Sequence, residues 1–166
     1  MHNASCTQEA LEKAFVQVMQ QVLSQKEEIL TACRETLDEA FDTAELDKAA
    51  TRLQDQALGM AERARQLVEE NARVQRDQDE FKKDYETLLD EHAKISEKIQ
   101  TIAEQKKDKA ERRRRIEIFL HMLEEQKECA GFDPGSFVAL VDKVIIQHDG
   151  HMGFCFRNGM KCEYPH

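Results

Sequence analysis

The chain has 166 residues, 34 % of them charged, with a formal net charge of −9, no tryptophan and two prolines. Its apolar residues are mostly committed to one periodic pattern, which leaves little for a deep enclosed pocket and disfavours an enzyme with a buried site. No apolar run nears the roughly 20 residues of a membrane span and no signal-peptide pattern opens the chain, so a cytoplasmic location without membrane partners is expected. Five cysteines, an odd number without close spacing, suit reduced thiols better than a disulfide framework.

Residues 1–6 read as a lead-in. Ser5 or Thr7 is placed to cap a helix opened by Gln8 and Glu9, where a carboxylate suits the positive helix end. Leu11, Phe15, Val18, Val22, Ile29, Cys33, Leu37 and Phe41 then recur at helical spacing. They predict a single amphipathic helix that must lie against something. The expected partner is Ile116, Phe119, Leu120 and Leu123, near the far end of the long helical region. A break is expected at Asp42-Thr43, with Thr43 capping the next helix.

From Leu46 to Leu123 apolar residues alternate at spacings of four and three, the 3.5-residue period of helices wound about one another. The seam runs through Leu53, Met60, Leu67, Tyr85, Leu88, Ile95 and Ile102, and polar residues enter it at two places. Asn71 and Gln78 lie within a polar run, so a fold-back there makes Leu46–Val74 and Phe81–Ile102 the arms of an antiparallel hairpin. Asn71, Val74, Gln78 and Phe81 then mark an exposed tip available to a partner. Reflection about residue 76 sets Leu46 opposite Lys106, beyond which the seam can turn polar at Lys106, Lys109 and Arg113. Each arm is about 45 Å long at roughly 1.5 Å per residue. One continuous helix paired with a second chain uses the same seam and is the alternative. His92, also in the seam, reads as a register-setting polar residue rather than a ligand.

Charge is unevenly spread. Residues 1–45 carry three basic side chains against nine carboxylates, whereas residues 94–115 carry nine basic against four acidic. Lys109 and Arg112, Arg113, Arg114 and Arg115 are the candidate phosphate contacts. The competing reading pairs this run with Asp38, Glu39, Asp42, Glu45 and Asp47 at the base of the arms.

After Leu123 the pattern changes. Ala130-Gly131 ends the helix, and Asp133 followed by Pro134 is a helix-start signal for a short helix through Phe137, Leu140 and Val141. Lys143–Gln147 has strand composition, and Asp149-Gly150 and Asn158-Gly159 are turn dipeptides, so a three-stranded antiparallel meander is expected. Two-residue turns pair His148 with His151 and Cys155 with Cys162, all on one sheet face. The two pairs stand roughly 13 Å apart, too far for one tetrahedral zinc. No metal site, cofactor or catalytic residue is expected, and no nucleophile elbow or phosphate loop occurs. The fold class is therefore mainly α. An N-terminal helix occupies 1–44, a long antiparallel coiled-coil hairpin 45–128 with its tip near 71–81, and a small helix plus β-hairpin module 129–166.

Phe132-Asp133, Phe137, Leu140-Val141-Asp142-Lys143-Val144, Asp149-Gly150, Phe154 and Phe156-Arg157-Asn158-Gly159 together resemble the C-terminal end of large serine recombinases of the resolvase/invertase type. Asn71 to Gln78, Tyr85, Asp108-Lys109 and Arg112 to Phe119 resemble their helical region, and His2-Asn3 with Glu9–Phe15 resembles the exit from their zinc ribbon. The resemblance thus covers nearly the whole chain. It implies a non-catalytic C-terminal portion of a transposon- or phage-type enzyme, with an antiparallel coiled coil whose tip contacts other recombinase subunits at synapsis. DNA is an implied partner in the context of the full-length recombinase. The family's serine catalytic domain, recombinase domain and zinc ribbon have no counterpart in these residues, and Cys6 does not take the place of the ribbon's last cysteine. A detached portion, inactive alone and without the family's zinc, is the expectation. A free-standing coiled-coil scaffold with no DNA role is the alternative.

Overall fold

The computed structural model describes residues 6–74 and 76–165. Residues 1–5 of the lead-in, Ser5 among them, lie outside the described residues. The chain forms two compact units, one of Asp42–Ala110 and one joining the chain up to Phe41 with the chain from Glu111 onward. In order the elements are α1 (Gln8–Ser24), α2 (Lys26–Ala40), α3 (Ala44–Arg73), α4 (Gln78–Glu125), α5 (Pro134–Leu140), β1 (Val141–Ile146), β2 (Met152–Phe156) and β3 (Lys161–Tyr164).

The first unit is the antiparallel hairpin of α3 and the early part of α4. Its start is secured by Asp42, whose Oδ1 accepts from the Ala44 amide at 3.0 Å, while the Thr43 hydroxyl donates to Asp47 rather than capping the backbone. At the far end the Val74 amide donates to the Glu70 carbonyl at 3.0 Å, closing α3. Asp77 then accepts from the Asp79 and Glu80 amides at 2.8 and 3.3 Å, which satisfies orphan donors at the start of α4. This break between Arg73 and Gln78 excludes one continuous helix. Every seam residue from Leu46 to Asn71 and from Phe81 to Lys109 is buried or half-buried, and Val74 and Gln78 are exposed. The base closes where the reflection puts it: Lys106 pairs with Asp47, and Lys109 donates to the Asp42 carbonyl at 2.8 Å.

In the other unit the expected single N-terminal helix is two. The Ser24 hydroxyl donates to the Gln21 carbonyl at 2.6 Å and the Gln25 amide to Val22 at 3.1 Å, so the helix tightens and stops. It restarts with the Gln25 carbonyl accepting from Ile29 at 3.0 Å. The break delivers Lys26 to the end of α4, where its ammonium donates to the Glu124 and Gln126 carbonyls at 2.6 and 2.9 Å. A cation there satisfies orphan carbonyls and suits the negative helix end.

α1 and α2 bury Phe15, Val18, Met19, Val22 and Leu30 against Phe119, Leu120 and Leu123 of α4, the expected partner face, and against the sheet residues Met152, Phe154 and Phe156. Phe15 meets Phe132 and Phe137 edge-on, with ring centres at 5.7 and 5.1 Å. α5 starts as its sequence signals. Asp133 accepts from the Ser136 amide at 2.7 Å ahead of Pro134, and the bonds from Ser136 hold its carboxyl below the usual range. The Arg157 guanidinium donates twice to the Val138 carbonyl, at 3.1 and 2.9 Å, fastening the second hairpin to α5.

The sheet is the expected antiparallel meander in the order β1-β2-β3, but its registers differ from expectation. Phe154 pairs with Cys162 and Cys155 with Lys161; the Gln147 amide donates to His151. The reason is the same in both turns. Gly150 and Gly159 donate back to Gln147 and Phe156, at 3.0 and 2.9 Å, and have φ of 87° and 91°. Each loop is therefore three residues long, a tight turn followed by a left-handed glycine. Asp149 and Asn158 stabilise the turns by accepting from the amides two residues on, at 3.1 Å each. The one-residue shift puts Cys155 and Cys162 on opposite faces. Cys162 shares the core face with Phe154, and Cys155 lies between Lys143 and Lys161. The expected common face for the cysteines and histidines is thereby corrected. Gly159→Ala should cost about 1–2 kcal/mol by forcing a Cβ into the left-handed region, measured by denaturant unfolding; an unchanged midpoint would contradict this turn geometry.

Candidate interaction surfaces

At the hairpin tip, Val74 is 63 % exposed and stands beyond the last buried seam layer. Asn71 is half-buried rather than fully exposed, because the Gln78 side-chain amide donates to its Oδ1 at 3.3 Å across the tip. Gln78 itself is exposed. Phe81 is half-buried and stacks on Tyr85, ring centres 5.9 Å apart at 18°. Arg76 reaches Asp84 at 3.4 Å. The tip thus presents one apolar side chain on a short connection braced from both arms. The bracing by Tyr85 and by the Arg76–Asp84 pair was not anticipated, though the spacing of Phe81 and Tyr85 at i and i+4 signals the stack.

The basic run divides by helix geometry. Lys109 and Arg113 continue the seam four residues apart; the first is engaged with the Asp42 carbonyl. Arg113 binds Asp38 at 2.6 Å and Glu117 at 2.9 Å. Donating to Glu117 and then to Asp38 raises the guanidinium pKa further and keeps it charged at any ordinary pH. Arg112, Arg114 and Arg115 are exposed. Within the candidate set, then, Lys109 and Arg113 are half-buried on acceptors from the preceding segment, and the other three are exposed. Asp38 and Asp47 are the acids, among those expected, that take the pairing role.

An open groove of about 500 Å³ beside α1 was not foreseen; it lies between Glu12, Val16, Phe132 and Tyr164. It needs a linker and a strand end brought to one helix, which no local pattern specifies. Among the described residues no helix is long and apolar enough to cross a membrane. No family model, curated protein or solved structure matches the chain.

Proposed function

We propose that this chain is the non-catalytic C-terminal portion of a site-specific DNA recombinase of the large serine class. In that reading the hairpin joins recombinase subunits through its tip, around Asn71, Val74, Gln78 and Phe81. Arg112, Arg114 and Arg115 support DNA contact, and strand cleavage belongs to a serine domain carried elsewhere. The reading assigns the chain no cofactor and a cytoplasmic setting. The observation that carries it is the hairpin itself, a long antiparallel pair ending in a four-residue connection with an exposed Val74. It is the architecture the motif resemblance calls for, and its tip falls on the stretch that carries part of that resemblance.

Binding to duplex DNA tests it. The full chain should bind in the micromolar range or weaker at physiological salt, with affinity falling steeply as salt rises. Arg114→Ala/Arg115→Ala should lower the slope of log K against log salt by about 2, near one unit per lost phosphate contact. Failure to bind at low salt would overturn the DNA role.

A second reading, a coiled-coil scaffold without DNA, is favoured by one observation: Lys109 and Arg113 are committed to the protein's own acceptors, in a chain of net charge −9.

A further inference from the structure

The two edges of the sheet are built differently. β3 is four residues long, carries Lys161 and Glu163, and lies against α1. Short length, charge and cover are common protections of an edge strand. β1 is six residues long, and its one irregularity, a register shift between Val141 and Lys143, comes at its start. From Val144 to Gln147 the chain holds no charge, proline or glycine, and Ile145 and Ile146 are 49 % and 38 % exposed. Isoleucine is thus open to solvent on both faces of one edge strand.

Backbone groups are open along the same edge. The Gln147 amide donates to the His151 carbonyl, and Ile145 and Lys143 stand opposite Gly153 and Cys155. Antiparallel bonding alternates along a strand, so these residues spend their amides and carbonyls on β2 while Val144 and Ile146 turn theirs outward. Among the described residues no fourth strand takes them up. Asp142, Lys143, Gln147 and His148 are exposed around them. Among the described residues, Asp142 and His148 make no side-chain hydrogen bond or ion pair.

We propose that β1 pairs antiparallel with β1 of a second copy of the chain, about a two-fold axis at Ile145, to form one continuous sheet. The residues select this register. Val144 exchanges both N–H···O bonds with Ile146 of the second copy, and each brings the groups it turns outward. Ile145 meets Ile145 of the second copy at the closer, non-hydrogen-bonded position, where apolar cross-strand pairs contribute most directly. Lys143 stands beside Gln147, and Asp142 beside His148 at the mouth of the turn, so the acid of the edge meets a basic side chain. An axis at Val144 instead sets Lys143 against Ile145 and Asp142 against Ile146, and an axis at Lys143 opposes two ammonium groups. The edge is short, so the dimer belongs to the weak, small-interface class. It is made wholly by the unit that holds the sheet and does not depend on the DNA reading.

The experiment is sedimentation of the full chain from about 10 to 500 µM, a range suited to weak interfaces, with hydrogen exchange. Mass should rise toward twice the monomer. Ile145→Lys sets two ammonium groups against each other on the axis and should raise the dimer Kd by about ten-fold or more. It should leave the thermal midpoint of the monomer within a few degrees, since the side chain is exposed. Asp142→Lys should weaken the dimer and Asp142→Lys/His148→Glu should restore it, because this register sets the two positions together. The Val144 and Ile146 amides should exchange more slowly as concentration rises, and by more than the Ile145 amide, which β2 already holds. A chain monomeric throughout, a dimer that survives Ile145→Lys, no rescue by the double exchange, or Val144 and Ile146 amides exchanging at one rate across the range would overturn the proposal.

Discussion

Phe15→Ala should cost its unit about 3–5 kcal/mol, the range for removing a fully packed aromatic ring. Phe15 is 1 % exposed and touches three different segments of the chain: Phe132 in the linker, Phe137 of α5 and Phe154 of β2. A three-stranded sheet of this size is marginal without a covering layer. The ring is part of that layer, so its loss should expose strand amides as well as the helix it sits on. Denaturant unfolding gives the energy, and hydrogen exchange at the β2 amides gives the location. A loss below about 1 kcal/mol, well under the cavity range, would mean that this aromatic cluster is not what holds the helices to the sheet.

Leu67→Ala should cost about 2–4 kcal/mol, a cavity cost for a well-buried leucine. Leu67 is 3 % exposed, the most deeply buried seam residue of the hairpin, and lies near Leu88 and Thr87 of the opposing arm. Asn71→Ala, one helical turn nearer the tip, should cost less than about 1 kcal/mol, because it removes a single hydrogen bond to an exposed partner. The contrast is the test. Thermal melts of the two variants place the end of the packed seam between these residues. Equal losses would move the tip further along the chain and remove Val74 from it.

Much of the hairpin was legible in the residues. A seam with a 3.5-residue period is a local property, and its two polar interruptions fall at the two ends of the hairpin. The first interruption holds the connection after Arg73, and the second begins where Lys106 reaches Asp47. The helix start at Asp133-Pro134 was legible for the same reason, since its hydrogen bonds close within three residues. The face of α4 that receives α1 and α2 was legible because it is an apolar continuation of the seam with no hairpin partner left.

Other features needed the tertiary structure. Asn-Gly and Asp-Gly are compatible with two- and three-residue loops alike, and the choice between them moves every side chain of a strand to the other face. Packing under α1 decides it, because Met152, Phe154 and Phe156 must point inward together, which sends Cys155 to the other side. The break at Gln25 was hidden because the apolar spacing runs through it nearly undisturbed; the capping of α4 by Lys26 joins residues about a hundred positions apart. Likewise an arginine run states charge, while helix geometry and the nearness of Asp38 decide that Arg113 turns inward as Arg114 and Arg115 stay exposed. The sequence by itself determined where the helices run and where the chain folds back, because those depend on neighbours within a few turns. Only the tertiary structure decided strand register and the partners of the charged side chains, because those depend on which distant surfaces share one core.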